Sequence, residues 1–150
     1  MNRIIKHSKG APALRIFGIG PNLIPMKGIK KLKRLLDENT FWAKGRSEEN
    51  IKKLLANSSS IISIWEKKRM IGFGRATSDT VYRAVIWDVV VASDKRGMGL
   101  GTVIIKELLK SKALINVRKI YLMTTHKSDF YSEQGFRMIE KQKLFCLFQD

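Results

Sequence analysis

The residues between Lys95 and Thr102 carry the most recognisable chemistry in this chain: Arg96, Gly97, Met98, Gly99, Leu100 and Gly101. They follow an apolar run, Val85-Ile86-Trp87-Asp88-Val89-Val90-Val91, and a short polar stretch, Ala92-Ser93-Asp94-Lys95. Behind them, Thr102-Val103-Ile104-Ile105-Lys106-Glu107-Leu108-Leu109 has the spacing of an amphipathic helix. A buried strand, a glycine turn and a new helix together make an anion cradle. Glycines let the backbone approach a phosphate, and the first helical turn offers unpaired N–H groups at the positive end of its dipole. The competing reading is a tight strand-to-helix turn that serves packing only. The spacing matches neither common nucleotide fingerprint. No Lys-Ser/Thr pair follows the glycines, as a P-loop requires, and Gly97, Gly99 and Gly101 alternate strictly, unlike Gly-x-Gly-x-x-Gly.

A second motif stands downstream: Phe130-Tyr131-Ser132-Glu133-Gln134-Gly135-Phe136. Arg96-x-x-Gly99-x-Gly101 followed by this segment resembles the acetyl-CoA loop and the closing Phe-Tyr-x-x-x-Gly-Phe of the GNAT N-acetyltransferase superfamily. The run Gly74-Arg75-Ala76-Thr77-Ser78-Asp79, with Ile86-Trp87-Asp88-Val89 behind it, is similar to the cyanobacterial and plastid branch. Members of that branch are described as arylalkylamine (serotonin-type) and protein lysine or N-terminal acetyltransferases. The resemblance covers residues 61–148, and more loosely the helical region before them.

The resemblance implies acetyl-CoA as co-substrate and no metal. It implies that Arg96, Gly97, Met98, Gly99, Leu100, Gly101 and Thr102 hold the pyrophosphate through main-chain N–H groups, with Arg96 mainly shaping the loop. Val89, Val90 and Val91 would bond the pantetheine arm through their backbone, and the N–H of Val90 or Val91 would polarise the thioester carbonyl. Thr125 and Ser128 would touch the cofactor arm. Tyr131 would protonate the leaving thiolate. A phenol with a pKa of about 10 is protonated at neutral pH and suits that role; the alternative is an aromatic packed on a buried helix face. Related enzymes use an acidic group on the strand to take the amine proton, often through water, which makes Asp88 the second catalytic candidate. Two departures stand out. Ala92-Ser93 replaces a common Asp-Pro, with Asp94 as a substitute cap, and Thr124, Thr125 and His126 stand where an asparagine is frequent.

Read by its own chemistry, Asp88 is a carboxylate inside an apolar strand, where an unpaired charge is costly. Its competing role is a salt bridge to Arg75 or Arg83 on a neighbouring strand. His126 could shuttle a proton, but a position in a strand-to-helix loop favours a solvent-facing side chain. Cys146, in Leu144-Phe145-Cys146-Leu147-Phe148, reads as a small buried hydrophobe, and one cysteine allows no internal disulfide. Two histidines and one cysteine leave little for a zinc site. Phe41, Trp42, Trp65 and Trp87 could line an aromatic acceptor pocket, although strand aromatics are more often core; Phe130 and Phe136 read as core.

These groups must be positioned by elements the periodicity suggests. Residues 1–13 are basic and Gly/Pro-bearing and read as a mobile arm. The expected domain spans residues 14–150. Leu14-Arg15-Ile16-Phe17 reads as a first strand. Ile29, Leu32, Leu35 and Leu36 have helical spacing. Ser47 is an N-cap for a second helix with Glu48 and Glu49 in its first turn and Ile51, Leu54 and Leu55 inward. Strands follow at residues 60–66, 70–76 and 82–91, the glycine-led helix at 99–112, a strand at 119–124 and a short helix at 128–134 ended by Gly135. Residues 136–139 and 144–148 read as a closing antiparallel pair. The order predicts a mixed α/β, mostly antiparallel sheet with helices on both faces, and the resemblance implies that this is the GNAT-like acyl-CoA N-acyltransferase fold.

At 150 residues and 44% apolar content this is one globular domain, not a disordered chain. No apolar run reaches the ~18 residues a membrane span needs. Arg3 and Lys6 precede no apolar segment of the signal-peptide kind, and a transit peptide would be richer in serine, so the expected location is the cytoplasm, or the plastid stroma in a eukaryote. The net charge of +16 has three readings: phosphate binding, an acidic or nucleic-acid partner, or a lysine-rich composition with no specific role. It argues against polycationic acceptors. The expected partners are a small-molecule or protein amine. The competing function class is a non-catalytic basic module that holds CoA or nucleic acid; no membrane is expected, and Leu144–Phe148 would suit a homodimer contact.

Overall fold

The computed structural model describes residues 1–149. Its elements run β1 (Asn2–His7), α1 (Pro12–Phe17), α2 (Gly28–Asn39), α3 (Glu48–Ala56), β2 (Ser60–Glu66), β3 (Arg69–Ser78), β4 (Arg83–Val91), α4 (Leu100–Lys110), β5 (Lys119–Tyr121) and α5 (Ser128–Glu133), with 3-10 turns at Pro21–Leu23 and Ser93–Lys95. The strands form one sheet in chain order, antiparallel as far as β4 and parallel between β4 and β5. This is the expected mixed α/β sheet.

Alternation divides the sheet's two faces. Gly72 and Gly74 turn one face of β3 toward α4. A Cβ at Gly74 would lie 2.5 Å from the Ile104 Cγ2 atom, so only glycine lets α4 come this near. Phe73 and Arg75 turn to the opposite face. There Arg75 reaches Asp88 and Ser58, close to the two ends of α3. The core is continuous across the sheet, from Leu32, Leu36, Ile51 and Leu55 through Ile61, Trp65 and Phe73 to Ile104 and Leu108.

The helices form where spacing and caps agree. All four apolar residues expected to face inward on α2 are buried. Ser47 caps α3 by accepting the Asn50 N–H at 3.1 Å, with Glu48 and Glu49 in the first turn. Ile51 and Leu55 are buried and Leu54 half-buried.

Three expectations are corrected. The basic arm is not loose: Asn2–His7 pairs in register with Ile61–Glu66 along the edge of β2. Its lysine and arginine content is what an edge strand carries to discourage pairing with other chains. Residues 14–17 are helical instead of extended, because Pro12 stands in the first turn, where a missing N–H costs nothing, and Gly18 closes α1 in the left-handed region at φ 63°. The C-terminal strand pair does not form among the described residues. Phe136 anchors against Tyr131 and the core. Beyond it the chain leaves the body, and β5, only 3 residues long, offers a short edge to template a pair.

Candidate active site

The glycine turn emerges from β4 and is braced from two sides before it reaches α4. Arg69 donates two hydrogen bonds of 2.7 Å to Asp94, and Lys95 reaches Glu66 at 2.7 Å, fastening the loop to the β2–β3 hairpin. The guanidinium holds the Asp94 carboxyl down to about 2. On the other side the Ser93 N–H donates to Asn39 Oδ1 at 2.8 Å. Arg96 donates to the carbonyls of Val91 and Asn39 at 3.3 and 3.4 Å, so its guanidinium ties the turn to β4 and to the end of α2. Gly97 and Gly99 take φ of 77° and 78°, a region that penalises side chains, and nothing lies within 4 Å of where either Cβ would be. The surface there is bare backbone. Within α4 the first helical hydrogen bond is donated by Val103 to Gly99, which leaves the N–H groups of Leu100, Gly101 and Thr102 without an intrahelical partner. Met98 projects outward, while Leu100 is buried.

Beside this turn the sheet opens. β5 pairs with β4 only from Arg83 to Val85, yet β4 continues to Val91. Along residues 86–91 the β5-facing edge of β4 therefore has no strand beside it. Val89, Val90 and Val91 lie on this open stretch with side chains in the core or packed on it, leaving their backbone available to an extended ligand.

The downstream motif packs against the turn's helix. A Cβ on Gly101 would be 3.1 Å from the Phe130 ring, and Gln134 donates to Thr102 Oγ1 at 3.1 Å. Tyr131 is half-buried between Phe130 and Phe136, with ring centroids at 4.9 and 6.1 Å. Burial pushes its phenol above its ordinary value. Phe130 and Phe136 are partly buried and pack on the core, as expected. Thr125, His126 and Ser128 are exposed at the start of this segment.

Asp88 is the most constrained residue of the region. Register between β3 and β4 breaks there: Phe73 pairs with Val90 and Arg75 with Trp87, so Asp88 sits on a bulge with φ 53°. Its side chain is only 5% exposed. Oδ2 accepts from Arg75 Nε at 2.8 Å and from Arg46 Nη1 at 3.0 Å, and Oδ1 accepts from Trp42 Nε1 at 3.1 Å. Burial pushes the carboxyl up, but the two guanidiniums outweigh it and hold it below its ordinary value. The Arg75 partner was legible from strand pairing. Arg46 and Trp42 were not, since they come from the α2–α3 loop, 42 and 46 residues away in sequence.

The four aromatics divide. Trp65 is fully buried core. Trp87 is half-buried and donates to Thr77 Oγ1 at 2.9 Å. Phe41 and Trp42 are exposed, 70% and 48%, and meet edge to face at 5.2 Å. Cys146 is exposed, contrary to the buried hydrophobe expected, because the segment carrying it does not fold onto the sheet. Among the described residues no group of three or more potential ligands could hold a metal ion, and no helix is long and apolar enough to cross a membrane.

A model of the acetyltransferase (GNAT) family matches residues 29–136. The uncharacterized N-acetyltransferase ycf52 of Pyropia yezoensis is 39% identical over 111 residues, covering 71% of this chain and 63% of that protein. Serotonin N-acetyltransferase 2, chloroplastic, of Oryza sativa subsp. japonica is 33% identical over 101 residues, covering 62% of this chain and 49% of that protein. Among solved structures, a GNAT-family acetyltransferase from Streptococcus pneumoniae has the same fold, with a TM-score of 0.71 at 17% identity and full coverage of both chains. The chain thus spans less than two-thirds of the length of these curated relatives.

Proposed function

This chain belongs to the GNAT acetyltransferase family, and from that premise we propose that it transfers the acetyl group of acetyl-CoA to a primary amine by direct attack, with an arylalkylamine such as serotonin or tryptamine as the first acceptor class. The observation that carries the reading is the open edge of β4 along residues 86–91, ending at a turn of bare backbone and unpaired N–H groups. That arrangement suits an extended arm with a pyrophosphate at one end and fits no ordinary packing need.

Acetyl-CoA supplies a thioester. The neutral amine's lone pair attacks its carbonyl carbon, a C–N bond forms and the C–S bond breaks. A backbone N–H of Val90 or Val91 stabilises the oxygen as it gains charge. The thiolate leaves with a proton from Tyr131, whose raised pKa keeps the phenol protonated at neutral pH. The amine proton leaves to water; the Asp88 carboxylate, already bound by three donors, is the weaker acceptor. Arg96–Thr102 hold the phosphates, and Thr125 and Ser128, on the rim, contact the arm. The exposed Phe41–Trp42 pair supports an aromatic acceptor. Because that pair stands open to solvent, protein lysine or N-terminal amines form the second acceptor class.

The test is free-thiol release from acetyl-CoA with tryptamine, serotonin and a lysine-containing peptide as separate acceptors, for wild type and Tyr131→Phe. Turnover that falls by roughly 10²–10⁴ in the variant supports the transferase and the acid role. Binding of acetyl-CoA without turnover on any amine would sink the reading.

A further inference from the structure

We infer that Asp88 is a positioning residue whose carboxylate latches the α2–α3 loop onto the β4 bulge, so that Trp42 becomes the residue that selects an acceptor with a planar apolar body and no second positive charge. The inference rests on the acetyl-transfer reading and assigns the acceptor side of that site.

Three observations converge. The first is occupancy: both carboxylate oxygens already accept hydrogen bonds, from Trp42, Arg46 and Arg75. A carboxylate bound by three donors, two of them guanidiniums, is a poor proton acceptor but a strong anchor. The second is strain. A non-glycine residue at φ 53° costs about 1–3 kcal/mol and persists only where the surroundings over-determine it. Here the bulge turns the side chain of Asp88 to the face of the sheet where Arg75 and the α2–α3 loop meet it, within the open stretch of β4 and next to Val89. The third is exposure. Phe41 and Trp42 present large apolar surface to solvent, yet Trp42 is tethered by its indole N–H to a side chain that is almost fully buried. A solvent-facing aromatic fixed in this way has already given up its rotational freedom, so an incoming ring meets a rigid platform.

Charge supplies the selectivity. Asp88, Arg46 and Arg75 form a cluster with two guanidiniums and one carboxylate. Its excess positive charge lowers the pKa of an amine held nearby, keeping the nucleophile neutral, and repels acceptors that carry further ammonium groups. No other charged side chain contacts the Asp88 carboxylate among the described residues.

The experiment compares Trp42→Ala, Trp42→Phe, Asp88→Asn and Asp88→Gly, using tryptamine, hexylamine and spermidine as acceptors. Trp42→Ala should raise KM for tryptamine about tenfold, move KM for hexylamine much less, and leave KM for acetyl-CoA near the wild-type value; Trp42→Phe should recover most of the loss. Asp88→Asn keeps an acceptor for the indole and tolerates the positive φ, so its defect should fall on the acceptor KM, with the acid limb of the kcat profile where wild type has it. Asp88→Gly frees both loop contacts and should make emission from Trp42, isolated by difference against Trp42→Phe, more accessible to acrylamide. A kcat loss of a hundredfold or more in Asp88→Asn at unchanged acceptor KM would make Asp88 the base and overturn the latch. Equal KM shifts for tryptamine and hexylamine in Trp42→Ala, or spermidine accepted as readily as tryptamine, would overturn the assigned selectivity. If wild type acetylates no amine, the transferase reading fails, and the quenching comparison still decides whether Asp88 holds Trp42.

Discussion

The glycine turn and the Asp88 latch lie at the two ends of the same short stretch of chain, and they are built from opposite materials. The turn is main chain: bare glycines, unpaired N–H groups and an arginine that only ties the loop down. The latch is side chain: one buried carboxylate and three donors drawn from β3 and a distant loop. A backbone surface tolerates many neighbours, and under the proposed function it is where acetyl-CoA would be held. A surface of buried, paired side chains changes only at a cost in stability, and under the proposed function it is where an acceptor would be chosen.

Mutations should separate the two materials. The largest stability loss is expected for Asp88→Ala, which leaves Arg75 and Arg46 without their anion in a mostly buried setting; a cost of about 3–5 kcal/mol should appear in chemical denaturation. A loss under 1 kcal/mol would place the latch among dispensable surface pairs. Gly99→Val should cost only about 1–2 kcal/mol of stability, the strain of a β-branched residue at φ 78°, because open space surrounds the site. Its acetyl-CoA affinity, measured by calorimetry, should fall far more than its stability. Arg96→Ala should be mildest at the turn, within about 1 kcal/mol in both measures, since its two hydrogen bonds are long.

A control outside both regions is His7, which shares a 2.8 Å hydrogen bond with Ser63 and joins β1 to β2. Burial pulls its pKa down to about 4 from the ordinary 6.5. The unfolded chain binds the proton more readily, so stability should be intact above pH 6.5 and decline as pH falls toward 4. His7→Gln should flatten that decline, and the turn and latch variants should keep it.

The difference in materials also explains what could be read from the sequence. Gly97, Gly99 and Gly101 stand within one turn of chain, and their meaning is local, so the turn, the strand before it and the helix after it were legible. So were α2, α3 and β2, whose periodicities and caps lie within single segments. Arg75 was legible as a partner of Asp88 because strand pairing brings it there. Trp42 and Arg46 reach Asp88 only through tertiary folding of a loop, which leaves no periodic trace. Residues 1–7 failed for a related reason: charged residues mark a solvated arm and an edge strand alike. At Leu14–Phe17, Pro12 and Gly18 carried the helical signal that four residues alone could not.

That edge strand also has to wait for its partner during synthesis. Asn2–His7 is made before its partner, which ends at Glu66. At ordinary elongation rates of about 5–20 residues per second, the strand waits roughly 3–12 seconds before the ribosome delivers the segment it pairs with. A nascent strand left unpaired that long is exposed to other chains, and Arg3 and Lys6, spaced along its length, guard it by repulsion during the wait.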